Sequence, residues 1–72
     1  MAQNYSQEYQ KFLERLKQAR LEVDLTQQDV ARLLKTTQAY VSKCERGERR
    51  VDIVELAKFA RIYKKPISFF LS

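Results

Sequence analysis

The chain of 72 residues has no histidine and no tryptophan, and only one cysteine, one glycine and one proline. Each shortage removes a class of answer. One cysteine cannot close an internal disulfide, and without histidine it cannot complete a metal site. There is no glycine-rich phosphate cradle and no carboxylate pair placed by an identifiable scaffold, so the chain does not read as an enzyme and implies no cofactor. Strands and hairpins are punctuated by Gly and Pro, and one of each is too few for a β-rich fold. No apolar run approaches the roughly 18 residues of a membrane span, and no signal-peptide pattern opens the chain. We therefore expect a cytoplasmic protein with no membrane partner and no evident small-molecule ligand.

What is present is helical spacing. A chain of this size buries only about 60% of its unfolded surface, which leaves room for one small core. We expect a frayed segment over 1–5 and a single domain over 6–72. Apolar residues recur at intervals of three and four, the pattern of an all-α bundle, here of five helices. The first runs from about Gln7 to Glu22 behind a Ser6 cap, with Tyr9, Phe12, Leu13, Leu16 and Ala19 inward. A second opens at Gln27 behind Thr26 and carries Val30, Ala31 and Leu34 on one face until Lys35 and Thr36 break it. The third, capped by Thr37, turns Val41 and Cys44 inward and leaves Gln38, Ala39, Tyr40, Ser42 and Lys43 outside. The fourth opens at Asp52 and continues to about Tyr63 through Ile53, Leu56, Phe59 and Ala60. Pro66 suits a first helical position, where its missing N–H costs nothing, and opens a short fifth helix in which Phe70 and Leu71 turn inward.

Two helices joined by a tight turn, the second with a polar outer face, spell helix-turn-helix. The opening Leu25-Thr26-Gln27, the small Ala31 where the two helices touch, and the run of cap Thr37, Gln38, inward Val41, Glu45 and turn Gly47 are in fixed register. In these features the chain resembles the Cro and phage-repressor type of helix-turn-helix, the lambda-repressor-like domains, from about Leu13 to Leu71. The resemblance implies a compact five-helix lambda-repressor-like DNA-binding domain with its helix-turn-helix at helices 2 and 3, helix 3 facing the groove. It also implies a structural ion pair between Arg20 and Glu45, a backbone-gripping role for Gln27, and dimerisation through the C-terminal helix. Many members carry Gly at the ends of helices one, two and four, where this chain has Asp24, Lys35 and Lys64. The resemblance thus places non-Gly residues at left-handed turns, and Lys65 where an aliphatic residue is common.

The side chains fit that implication. Reading bases in the major groove requires donors and acceptors that match base edges. Gln38 has one of each and can bond adenine in bidentate fashion, Lys43 can reach guanine or a phosphate, and Ala39 can touch a thymine methyl. Tyr40 joins the expected base contacts, stacking on sugar and phosphate or covering the turn. Expected phosphate contacts are Gln27, Thr37, Ser42, Arg46, Arg49 and Arg50. Fourteen Lys and Arg against nine Asp and Glu, a formal net charge of +5, favour an anionic partner. One helix-turn-helix touches few base pairs, so selectivity needs two held at fixed spacing by a self-complementary patch. Ile62, Pro66, Ile67 and Phe69 are the expected patch. The expected function is a sequence-specific, duplex-DNA-binding transcriptional regulator, a homodimeric repressor located at the nucleoid. The alternative is a protein-interaction module such as an antitoxin or adaptor.

Overall fold

Four of the five helices begin where side chains supply the hydrogen-bond acceptors that a first turn lacks. The computed structural model describes residues 6–71; the segment 1–5, expected to be frayed, lies outside them, as does Ser72. The elements are α1 (Gln7–Glu22), α2 (Gln27–Leu34), α3 (Gln38–Arg46), α4 (Ile53–Tyr63) and α5 (Ile67–Leu71). The Ser6 hydroxyl accepts from the Tyr9 N–H at 3.2 Å and the Thr37 hydroxyl from the Tyr40 N–H at 3.1 Å. Thr26 with Asp29, and Asp52 with Glu55, form reciprocal capping boxes at the starts of α2 and α4. Each such cap is worth about 1 kcal/mol. Pro66 stands one residue before α5, and its carbonyl accepts from the Phe69 N–H at 3.0 Å.

The helix ends share one device. Asp24, Lys35 and Lys64 have φ of 59°, 58° and 58°, and Gly47 has φ of 80°. Beyond each, an N–H reaches back to the last turn: Leu25 to Arg20, Thr36 to Ala31, Glu48 to Lys43 and Lys65 to Ala60, at 2.9–3.3 Å. These closures satisfy carbonyls that a helix end leaves orphaned. Three of the four positions lack glycine and bear strain on the order of 1 kcal/mol each. Lys35→Gly is therefore expected to be neutral or to stabilise by up to about 1 kcal/mol, strain relief offsetting the added freedom of the unfolded chain. Urea unfolding of both proteins measures it, and a loss above roughly 1 kcal/mol would mean that Lys35 is unstrained.

The core takes Phe12, Leu16 and Ala19 from α1, Val30 and Ala31 from α2, Val41 and Cys44 from α3, Leu56, Phe59, Ala60 and Tyr63 from α4, and Phe70 from α5. Two apolar residues of the expected helical runs are exposed instead. Leu71 is 69% exposed, because adjacent helical residues are about 100° apart and Phe70 takes the inward direction. Ile53 is 64% exposed, in the first turn of α4 at the margin of its apolar stripe. Both instead rim a groove with Tyr9, Phe12, Val51 and Leu56. Tyr9 and Leu13 are half-buried, and the place beside Ala19 on the inner face of α1 goes to a charged residue, Arg20. Lys65 reaches α1, with its Nζ 2.6 Å from Glu22 Oε1 and over the Phe69 ring. The Tyr63 hydroxyl is buried and has no hydrogen-bond partner among the described residues, a cost that burial of its ring must outweigh.

Candidate nucleic-acid interface

At about 100° per residue, Gln38, Ser42, Arg46, Ala39 and Lys43 fall in one arc of α3, with Glu45 at one margin and Tyr40 at the other. Val41 and Cys44 fill the opposite side and are fully buried, which fixes the rotation of the helix. Gln38, Ala39, Lys43 and Arg46 are exposed and Ser42 half-buried, so donors, an acceptor, a methyl and two cations share one open face. Thr37, at the tip of α3, is exposed and uses its hydroxyl as the cap.

One margin of the arc is tied to α1. Arg20 Nε lies 2.6 Å from Glu45 Oε2, and Nη2 donates to Oε1 at 3.1 Å, a bidentate pair with side chains only 9% and 4% exposed. Arg20 Nη1 donates to the Leu25 carbonyl at 2.9 Å, so one guanidinium joins α1, the turn after it and the end of α3. Its hydrogen bonds to Glu45 raise the Arg20 pKa further above its already high ordinary value, despite burial. Gln27 completes the network, donating from Nε2 to Glu45 Oε1 at 3.0 Å. The side chain expected on a phosphate thus helps to hold Glu45, which leaves the backbone N–H groups of the first turn of α2 to face an anion.

The other margin is tied to α4. Tyr40, expected among the base contacts, is half-buried and turned away from the open arc. Its hydroxyl donates to Glu55 Oε2 at 2.9 Å, and its ring lies parallel to that of Phe59 at 6.5 Å. Burial, reinforced by that hydrogen bond, pushes its phenol well above the ordinary tyrosine range, so it stays protonated and donating. Position sets this outcome, because Tyr40 falls on the α4 side of α3. Glu55 was not apparent as a functional residue in the sequence, although the Asp52-Ile53-Val54-Glu55 spacing is that of a capping box.

The three arginines at the end of α3 and in the loop after it differ in how they are held. Arg46 pairs with Glu48, Nε to Oε2 at 2.9 Å, with side chains 55% and 46% exposed, and it also contacts the Ser42 hydroxyl. A pair so open to water contributes little to stability and can be exchanged for a phosphate. Arg50 is exposed and lies 4.6 Å over the Tyr9 ring. Arg49 contacts Glu55 through both Nη atoms and stacks on Tyr40 at 4.9 Å. The loop is also held to α1, where the Tyr9 hydroxyl accepts from the Val51 N–H at 3.1 Å.

No group of His, Cys, Asp or Glu among the described residues could hold a metal, and no described helix is long and apolar enough to cross a membrane. Two capped helices joined by a left-handed turn, the second with an open polar face flanked by cations, define a helix-turn-helix DNA-binding domain. The family model described as helix-turn-helix matches residues 16–70, which cover α2 to α4 whole, the C-terminal part of α1 and all but the last residue of α5. The chain belongs to that family, the Cro/C1 type of DNA-binding regulator. A search of curated proteins gave no match.

Proposed function

We propose that this regulator is a repressor that binds one duplex sequence as a symmetric homodimer and acts by covering a promoter. The open arc on α3 is the observation that carries the reading. Gln38, Ala39 and Lys43 meet base edges. Thr37, Ser42, Arg46, Arg50 and the backbone at Gln27 meet phosphates. The longest dimension of the described chain is 29 Å, below the ~34 Å that separates successive major-groove faces, so one copy reaches one half-site. Residues 6–72 would act as one unit. Affinity for selected and random duplexes at two salt concentrations tests the proposal. A preference of about a thousandfold or more supports it, and a uniform, salt-steep affinity would reduce the chain to a nonspecific basic binder.

The second copy is assigned to the α5 end, through Ile62, Pro66, Ile67 and Phe69. Pro66 is exposed and the other three are half-buried. The Phe69 ring lies between Arg15 Cζ at 4.9 Å and Lys65 Nζ at 4.7 Å. A carboxylate there meets two cations, so Phe69→Glu is expected to stay folded by circular dichroism, sediment as monomer, and occupy a palindromic site without cooperativity. Unchanged dimerisation in Phe69→Glu, with loss in Leu71→Glu, would move the contact to the groove between Ile53 and Leu71.

One observation favours a second reading, an antitoxin or adaptor that holds another protein. Leu33 is 58% exposed and shares a cleft with Ile62, rimmed by Lys35, Lys58 and Arg61. Absence of any selective DNA binding in the duplex experiment would favour it.

A further inference from the structure

One carboxylate, Glu55, collects donors from three parts of the chain. Its Oε2 accepts from the Tyr40 hydroxyl at 2.9 Å and lies 3.0 Å from Arg49 Nη2. Its Oε1 accepts from the Asp52 N–H at 2.9 Å and from Arg49 Nη1 at 3.2 Å. The Tyr40 ring lies parallel to that of Phe59 and has the Arg49 guanidinium 4.9 Å from its centroid. Arg49 Nη1 also donates to the Arg50 carbonyl at 3.0 Å, so the backbone next to it is held by the same group.

We propose that Glu55 is a positioning residue for DNA binding, which locks Arg49 against Tyr40 so that Arg49 fixes the recognition helix and its loop and does not grip a phosphate. The contrast with Arg46 carries this. Glu48 offers Arg46 a partner as exposed as itself, whereas the Glu55 side chain is only 19% exposed and is already oriented by its cap and by Tyr40. A phosphate that drew Arg49 away would leave that shielded carboxylate without its counter-charge. Charge-assisted, bidentate contacts of this kind specify direction as well as attraction. The α4 carboxylate therefore sets where Lys43 and Arg46 stand on the recognition helix, and it holds one of the two loop guanidinium groups out of the nonspecific electrostatic attraction.

This inference rests on the DNA-binding reading, and the two are separated by measuring the wild type in the same series. A wild type with no preference for its selected duplex removes both. With that preference established, affinity for selected and random duplexes is followed across a salt series for Arg49→Gln, Glu55→Gln and Tyr40→Phe. In Arg49→Gln the salt slope should be unchanged while affinity for the selected duplex falls severalfold. A slope lower by about one would show Arg49 on a phosphate and overturn the proposal. Glu55→Gln keeps a carbonyl acceptor for the Asp52 N–H, turns an amide donor towards the Tyr40 hydroxyl, and frees Arg49. Random-sequence affinity should rise, the slope should steepen by about one, and the ratio of selected to random should narrow severalfold. A folded Glu55→Gln with the wild-type slope and ratio would overturn it. Should Glu55→Gln not fold, Tyr40→Phe retains the stacked ring and removes only the hydroxyl. Its affinity for the selected duplex should fall severalfold at an unchanged slope, and wild-type affinity there would equally overturn the proposal.

Discussion

Replacing Glu45 by Ala is expected to cost about 3–5 kcal/mol, the penalty for leaving a buried guanidinium without its partner. The side chains of Arg20 and Glu45 are 9% and 4% exposed, so water cannot take the place of the lost carboxylate. Arg20→Ala should cost a similar amount, because Glu45 would keep Gln27 as a neutral donor but lose both guanidinium contacts. A small domain has about 5–15 kcal/mol in total, so either variant should melt far below the parent. The double variant should cost clearly less than the sum of the singles, since no orphaned charge then remains. Urea unfolding of the four proteins closes the cycle, and additive losses would mean that the observed contact contributes no coupling. The pair also places the end of α3 against α1. At temperatures where the single variants remain folded, they should therefore lose DNA selectivity along with stability.

The other large effect should appear in binding. Gln38 is exposed at the first position of α3, and no hydrogen bond among the described residues competes for its amide. Gln38→Ala is expected to weaken the preferred duplex by roughly 1–3 kcal/mol and to relax choice at one base pair, with the fold unchanged. Arg46→Ala and Arg50→Ala should instead weaken all duplexes alike and lower the salt slope by about one each. Selection of preferred sequences by parent and variant makes the comparison. An unchanged selected sequence in Gln38→Ala would remove that residue from the base-reading set.

Which features could be read from the sequence follows from the range of the forces involved. Helix starts are local, since Thr26, Thr37 and Asp52 need only N–H groups a few residues away, and each caps where its spacing indicates. The left-handed ends at Asp24, Lys35 and Lys64 were legible only through family resemblance, because nothing intrinsic to lysine favours positive φ. The directions of Tyr40, Ile53 and Leu71 were not legible. Each stands at the margin of its helix's apolar face, where partner geometry decides, and the partners of Tyr40 are 15 and 19 residues further along. Gln27 illustrates the same limit. An amide at a helix start suits a phosphate, but here a carboxylate 18 residues away accepts its hydrogen bond first.

Cys44 lies on α3, fully enclosed, and burial pushes its thiol above the ordinary cysteine range. Thiolate is the reactive form, so a modifying reagent meets almost none of it while the helices are closed. Reaction requires α3 to lift from the bundle, and the ratio of the observed rate to that of a free thiol gives the population of lifted molecules. The chain's sole cysteine is thus a built-in gauge on the reading head, able to report how far bound DNA depletes the lifted population.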